Sequence, residues 1–248
     1  MNVDFFSTIG MYLRQGQGIG YMILTGVFAG LSFFVSNMLK SRFRKFSAMP
    51  IDLSGQEIAQ QMLDDAGIGD VKIMSTPGQL TDHYNPANKT VNLSDVVYSE
   101  RNVAAAAVAA HEVGHAIQHS RSYKWLKMRS NLVPVLGIGS RFAPFIIMIG
   151  LSLMTAEGLS GVGSIATMLG IILFSATTLF SFVTLPVEFD ASKRALNWFI
   201  DAGVMGGLEH SKAKSALNAA AMTYVVGALT SLGQLVYFIL RYMSRKSR

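Results

Sequence analysis

Between Glu157 and Glu188 the chain runs for 30 residues without a charge, GLSGVGSIATMLGIILFSATTLFSFVTLPV. A run of this length has few structural outcomes. It covers ~30 Å of hydrocarbon as a helix, and in lipid a helix is required because every backbone polar group must be satisfied within the segment. Three more uncharged runs follow the same pattern, at 18–39, 142–156 and 215–240. They predict a mainly α integral membrane protein with about four transmembrane helices, placed at 18–39, 135–156, 162–185 and 220–240. The segment 1–17 carries Asp4 and Arg14 and shows no small-residue cleavage site, so the first run is expected to be an uncleaved anchor.

The charged residues lie between these runs. Only 15% of the chain is charged, with a net charge of +6, and there is no cysteine. Disulfides and thiolate metal sites are therefore excluded, and any metal must be held by His, Asp or Glu. The basic residues cluster at KSRFRK (40–45), at Arg121, Lys124, Lys127 and Arg129, and at Lys193, Arg194, Lys212 and Lys214. If the first three runs cross, all three clusters share one side, which the positive-inside bias makes cytosolic. That bias explains the charge without a nucleic-acid partner. The loop around Glu157 lacks basic residues and belongs outside. The C-terminal RYMSRKSR disagrees, because a full fourth crossing places it outside as well.

Residues 46–125 read as a small α+β unit. SGQE (54–57) is a capping box opening a helix that ends near Gly67. VKIM then predicts a strand, and LTDHY with TVNLS a hairpin. A long helix is expected from about Ser99 through AAAAVAAHEVGHAIQHS.

That helix carries H-E-x-x-H as HEVGH. His111 and His115, one turn apart, project from one face and can both donate to one Zn²⁺ at ~2.0–2.1 Å. Glu112 is rotated by about 100° and falls beside the metal, where a general base for hydrolysis belongs. His119 shares the face but lies ~12 Å along the axis from His111, too far to share the ion. Glu188, in LPVEFDASKRAL, is the better third ligand. Pro186 is expected to end the third span and start a new helix with Glu188 in its first turn. Two crossings then separate His115 from Glu188 and return them to one side. Glu188 and Asp190 also fit as ordinary acids at a helix N-terminus.

LTDHYNP, VNLS, AAHEVGHAIQ and LPVEFDAS together resemble the YugP-like family of bacterial membrane-bound neutral zinc metallopeptidases. The resemblance covers the chain from Ser54 into the fourth span. It implies a zincin-like unit of gluzincin type, similar in layout to the HtpX-like and CAAX-prenyl membrane proteases. His111, His115 and Glu188 are then zinc ligands and Glu112 the catalytic base. In the HtpX-like proteins an Asp four positions after the ligand glutamate braces a motif histidine; here Ser192 stands there, with Asp190 two positions earlier. A substrate-binding strand in those relatives implies that Asp82, His83 and Tyr84 line the cleft by backbone pairing. Tyr224, His210 and Tyr84 are candidates for stabilising the transition state.

The reading that follows is a zinc endopeptidase of the bacterial plasma (inner) membrane, with its site facing the cytosol. Its substrates are expected to be peptides, membrane proteins or their cytosolic loops, and the lipid bilayer is its other partner. The competing reading is a non-catalytic membrane scaffold with a structural zinc, for which Glu112 would have no use. The oligomeric state leaves no mark in the sequence.

Overall fold

The computed structural model describes residues 19–246; the expected N-terminal segment 1–17 lies outside them. Ten elements follow in order: α1 (Ile19–Ser47), α2 (Gly55–Asp65), β1 (Lys72–Thr76), β2 (His83–Asn85), β3 (Thr90–Ser94), α3 (Asp95–Ser99), α4 (Val103–Ser120), α5 (Lys124–Leu153), α6 (Ser160–Asp201) and α7 (Gly207–Lys246). They divide between two compact units. One comprises Phe34–Met128 with Val183–Tyr224, and the other holds the rest of the described chain.

The first unit is built around α4. Its alanines, 104 to 107, 109 and 110, are all buried, which is how a helix apolar on every side behaves. Alanine favours the helix and its small side chain lets neighbours approach closely. Ile58, Met62 and Leu63 of α2, Val91 and Leu93 of β3, and Phe199 of α6 complete the core. The three-stranded sheet has the order β1-β3-β2, with β3 parallel to β1 and antiparallel to β2. Buried β3 is central, and β2 is an edge strand pairing His83 with Asn92 and Tyr84 with Val91.

Local capping sets the boundaries. Ser54 and Glu57 form the reciprocal box at the start of α2, with bonds of 2.7 and 3.3 Å. At its end Gly67 adopts φ +70. The amides of Gly67 and Ile68 return to the carbonyls of Asp64 and Leu63, a Schellman closure. The helix expected from Ser99 is instead divided. The five-residue α3 ends at Ser99, and α4 starts at Val103 because the Asn102 side chain accepts from the Ala105 amide at 2.9 Å. The LTDHY strand is also shorter than expected. Leu80 has a left-handed φ of 58 that breaks the extended run. The Asp82 carboxylate turns back to accept from the Ser94 amide and hydroxyl at 2.7 and 3.0 Å.

Pro186 does not start a new helix. It lies inside α6, which continues without interruption to Asp201. An interior proline costs about 3 kcal/mol. Val187, Glu188, Ala191, Ala195 and Phe199 beyond it are buried, and their packing outweighs that penalty. Two crossing residues explain how α6 meets α4: a Cβ on Gly114 would lie 2.7 Å from the Ala191 carbonyl oxygen and 3.0 Å from its Cα. Trp198 Nε1 donates to Asp65 at 2.8 Å and His210 Nε2 pairs with the Leu196 carbonyl at 3.1 Å. His210 therefore secures α7 to α6.

In the second unit α5 and α6 pack through small residues, as lipid-embedded helices do. A Cβ on Gly150 would meet Thr167, and one on Gly163 would meet Met154 and Gly150. Phe238 of α7 packs on Tyr21 and Phe174. Outward apolar side chains, Ile23, Phe145, Ile165 and Ile172 among them, are exposed. Among the described residues three helices, α1, α6 and α7, are long and apolar enough to cross a membrane. In α5 the apolar part is only Arg141–Leu153. That helix stops at Leu153 rather than reaching 156, and the stretches expected at 162–185 and 220–240 lie within α6 and α7.

Gly114→Ala tests the close helix crossing. The substitution gains about 1 kcal/mol of helix propensity, but overpacking against backbone typically costs about 1–3 kcal/mol. The variant should melt at a lower temperature than the parent in detergent. An unchanged melting temperature would show that α4 and α6 do not need this glycine.

Candidate metal centre

On α4, four-residue spacing places His111 and His115 one above the other, their rings 4.8 Å apart and nearly perpendicular. On α6, Glu188 and Ser192 are also one turn apart and flank Ala191, the residue that touches Gly114. The crossing therefore brings two pairs of side chains face to face. His111 Nε2 lies 3.4 Å from Glu188 Oε2 and His115 Nε2 3.8 Å from Glu188 Oε1. One potential ligand atom from each residue falls within 4.8 Å of the others. A tetrahedral ion with bonds of ~2.0–2.1 Å separates its ligand atoms by about 3.3 Å, so these three residues fit a zinc ion after small adjustments. Two imidazoles and a carboxylate are also the donor set such sites use.

Glu188 is only 2% exposed. It lies beyond the 162–185 stretch read as a span. Burial works against its charge, yet the imidazoles of His111 and His115 hold its carboxyl well below the usual carboxylate range. Burial likewise lowers the His115 imidazole, but Glu188, Glu112 and Gln118 together outweigh it and the net shift is upward. The pair thus favours an ionised carboxylate in a buried place.

Both histidines are braced through Nδ1. Ser192 Oγ meets His111 Nδ1 at 3.1 Å. For His115 the partner is Gln118 Oε1, at 3.0 Å. Asp190 touches neither ring; it accepts from Gln118 Nε2 at 2.8 Å and from Arg194 Nε at 2.6 Å. Gln118 was not singled out from the sequence, although three positions after His115 on a helix is the same face.

Glu112 is buried, and its Oε2 accepts the Tyr84 amide of β2 at 2.9 Å. The Tyr84 hydroxyl pairs with His119 Nδ1 at 2.8 Å. His119 therefore holds the edge strand and stands outside the three-residue group. His83 is exposed, its ring turned to the Thr81 carbonyl. Asp82 and Tyr224 line a cavity of about 160 Å³ together with His111, Glu112, Glu188 and Ser192. The remaining wall is apolar, including Phe43, Leu80 and Leu217. Arg42 on α1 donates to the Ser215 carbonyl of α7 at 2.9 Å and holds two of these walls together.

Comparison with known proteins gives a consistent picture. No solved structure matches the chain. "Putative membrane protease YugP" of Bacillus subtilis (strain 168) is 40% identical over 226 residues, which is 90% of this chain and 97% of that protein. The family described as "Putative neutral zinc metallopeptidase" matches residues 21–243, a stretch that contains both histidines, Glu112 and Glu188. The chain belongs to that zinc metallopeptidase family.

Proposed function

We propose that the protein is an integral-membrane zinc endopeptidase of the bacterial plasma membrane, with His111, His115 and Glu188 as ligands and Glu112 as general base. The observation that carries this reading is the convergence of those three donors beside a buried glutamate in a small apolar cavity. A structural zinc needs a closed fourth position and has no use for Glu112.

When bound, zinc acts as a Lewis acid that polarises the scissile carbonyl and lowers the pKa of water toward ~7. Glu112 takes a proton from the attacking water and passes it to the leaving amine. The Tyr84 amide holds its carboxylate in place for both transfers. Ser192 and Gln118 keep the two imidazoles oriented. Tyr224, which lines the cavity, is the residue we assign to donate to the developing oxyanion. The apolar wall of Phe43, Leu80 and Leu217 suits a bulky apolar side chain next to the cleaved bond. Such side chains are abundant in membrane proteins and their loops, the substrates this reading favours.

A cytosolic site is supported by the basic clusters at 40–45, 121–129 and 193–214, which share one side if the first three runs cross. Contacts at the far end of α7 support a full fourth crossing. Tyr242 pairs with Ser164 at 3.0 Å, and Arg245 donates to the Leu151 carbonyl. Both place that end beside the loop joining α5 and α6.

Two experiments test the reading. Glu112→Gln should lower peptide hydrolysis by about 10²–10⁴-fold while retaining one zinc per chain by elemental analysis; full activity in the purified variant would overturn the assignment. The absence of cysteine makes single-cysteine labelling clean. In intact cells a membrane-impermeant maleimide should label Glu157→Cys and a cysteine added after Arg248, but spare Asp70→Cys. Labelling of Asp70→Cys would place the site outside the cytosol.

A further inference from the structure

Gln118 is fully buried and uses both ends of its amide. Nε2 donates to the Val187 carbonyl at 2.7 Å and to Asp190 Oδ2 at 2.8 Å. Oε1 faces His115 Nδ1 at 3.0 Å. The orientation of this amide follows from its partners. A backbone carbonyl can only accept, and the Asp190 carboxylate already accepts from Arg194. A flipped amide would set its oxygen against both of them, so the nitrogen must point that way. The oxygen is then left for His115, and an oxygen that can only accept requires a proton on Nδ1. In the neutral ring the Nε2 lone pair is thereby free, on the atom that faces Glu188.

The same amide reaches a second ligand. Val187 directly precedes Glu188, so the bond to its carbonyl anchors α6 to α4 at the residue before the carboxylate. One side chain therefore controls the tautomer of one ligand and the placement of another, with Asp190 and Arg194 behind it.

We infer that Gln118 is a positioning residue for the metal centre, a buried amide bridge that fixes the His115 tautomer and the register of Glu188. The inference rests on the zinc reading given above. Outer partners of metal-bound histidines typically contribute 10–100-fold to metal affinity, which sets the size of the expected effect.

The test uses the full-length chain in detergent. Zinc affinity, measured by competition with a chromophoric chelator, should fall about 10–100-fold in Gln118→Met, which keeps the length of the side chain and removes its hydrogen bonds. Nitrogen-15 shifts of the imidazoles in zinc-loaded wild type should show a proton on His115 Nδ1, and that resonance should move in the variant as its hydrogen bond is lost. With five histidines in the chain, assignment by single substitution is practical. Failure of wild type to bind zinc would overturn the zinc reading and this inference with it. Tight binding by wild type with unchanged affinity in Gln118→Met would overturn the inference alone. The wild-type spectrum decides the matter even where the variant does not fold: a proton on Nε2 rather than Nδ1 would refute the bridge.

Discussion

The contact between Gly114 and Ala191 is the constraint on which the rest of the site depends. Three side chains that converge from two distant helices need those helices to approach backbone to backbone. Ordinary side chains hold helix axes 8–10 Å apart. A glycine inside HEVGH, opposite an alanine flanked by Glu188 and Ser192, removes the side chain that would separate them. The small residue and the converging side chains are therefore parts of one design: HEVGH supplies two imidazoles and the gap through which the Glu188 carboxylate arrives.

Bringing the helices so close buries polar groups, and buried polar groups stabilise a fold only when all are satisfied. Among the described residues no buried side-chain polar atom lacks a partner. Ser192 answers His111, Gln118 answers His115, Asp190 answers Gln118 and Arg194 answers Asp190. Where the HtpX-like pattern has an aspartate, this chain has a serine that reaches one histidine directly. Its aspartate reaches the other histidine through an amide. The carboxylate remains connected to the centre with one residue interposed, and the charge is moved from the ring to the Arg194 side.

Much of this was legible in the sequence, and the remainder was hidden for physical reasons. Capping boxes and Schellman glycines are local, so the limits of α2 could be read from Ser54, Glu57 and Gly67. HEVGH is also local, because helical periodicity alone aligns His111 with His115. The position of Glu188 could be argued from crossing parity, but its setting could not. Pro186 signals a break, and only the packing of Val187, Ala191 and Phe199 shows why the helix continues through it. Gln118 sits on the expected face, yet nothing in its identity distinguishes a bracing amide from a solvated one until Val187 and Asp190 are placed opposite it. The parallel pairing of β1 with β3 also depends on contacts that no short pattern encodes.

If the protein is the endopeptidase proposed above, the edge strand limits how its substrate can be held. Adding a peptide to a sheet needs free backbone groups along the edge. Here β2 is three residues long, and the Tyr84 amide is occupied by Glu112. The Asp82 carboxylate, just before the strand, accepts from the Ser94 amide. Backbone pairing would then contribute only a bond or two beside Glu112. Most of the remaining selectivity falls to shape and apolar contact with the cavity wall, where Leu80 is held out by its left-handed backbone. A site built this way discriminates weakly by sequence, since a methylene in an apolar pocket is worth only about 1–3 kcal/mol. On the proposed reading it would favour chains that are already extended and apolar at the site of cleavage, the condition of an unfolded membrane-protein segment rather than a folded soluble domain.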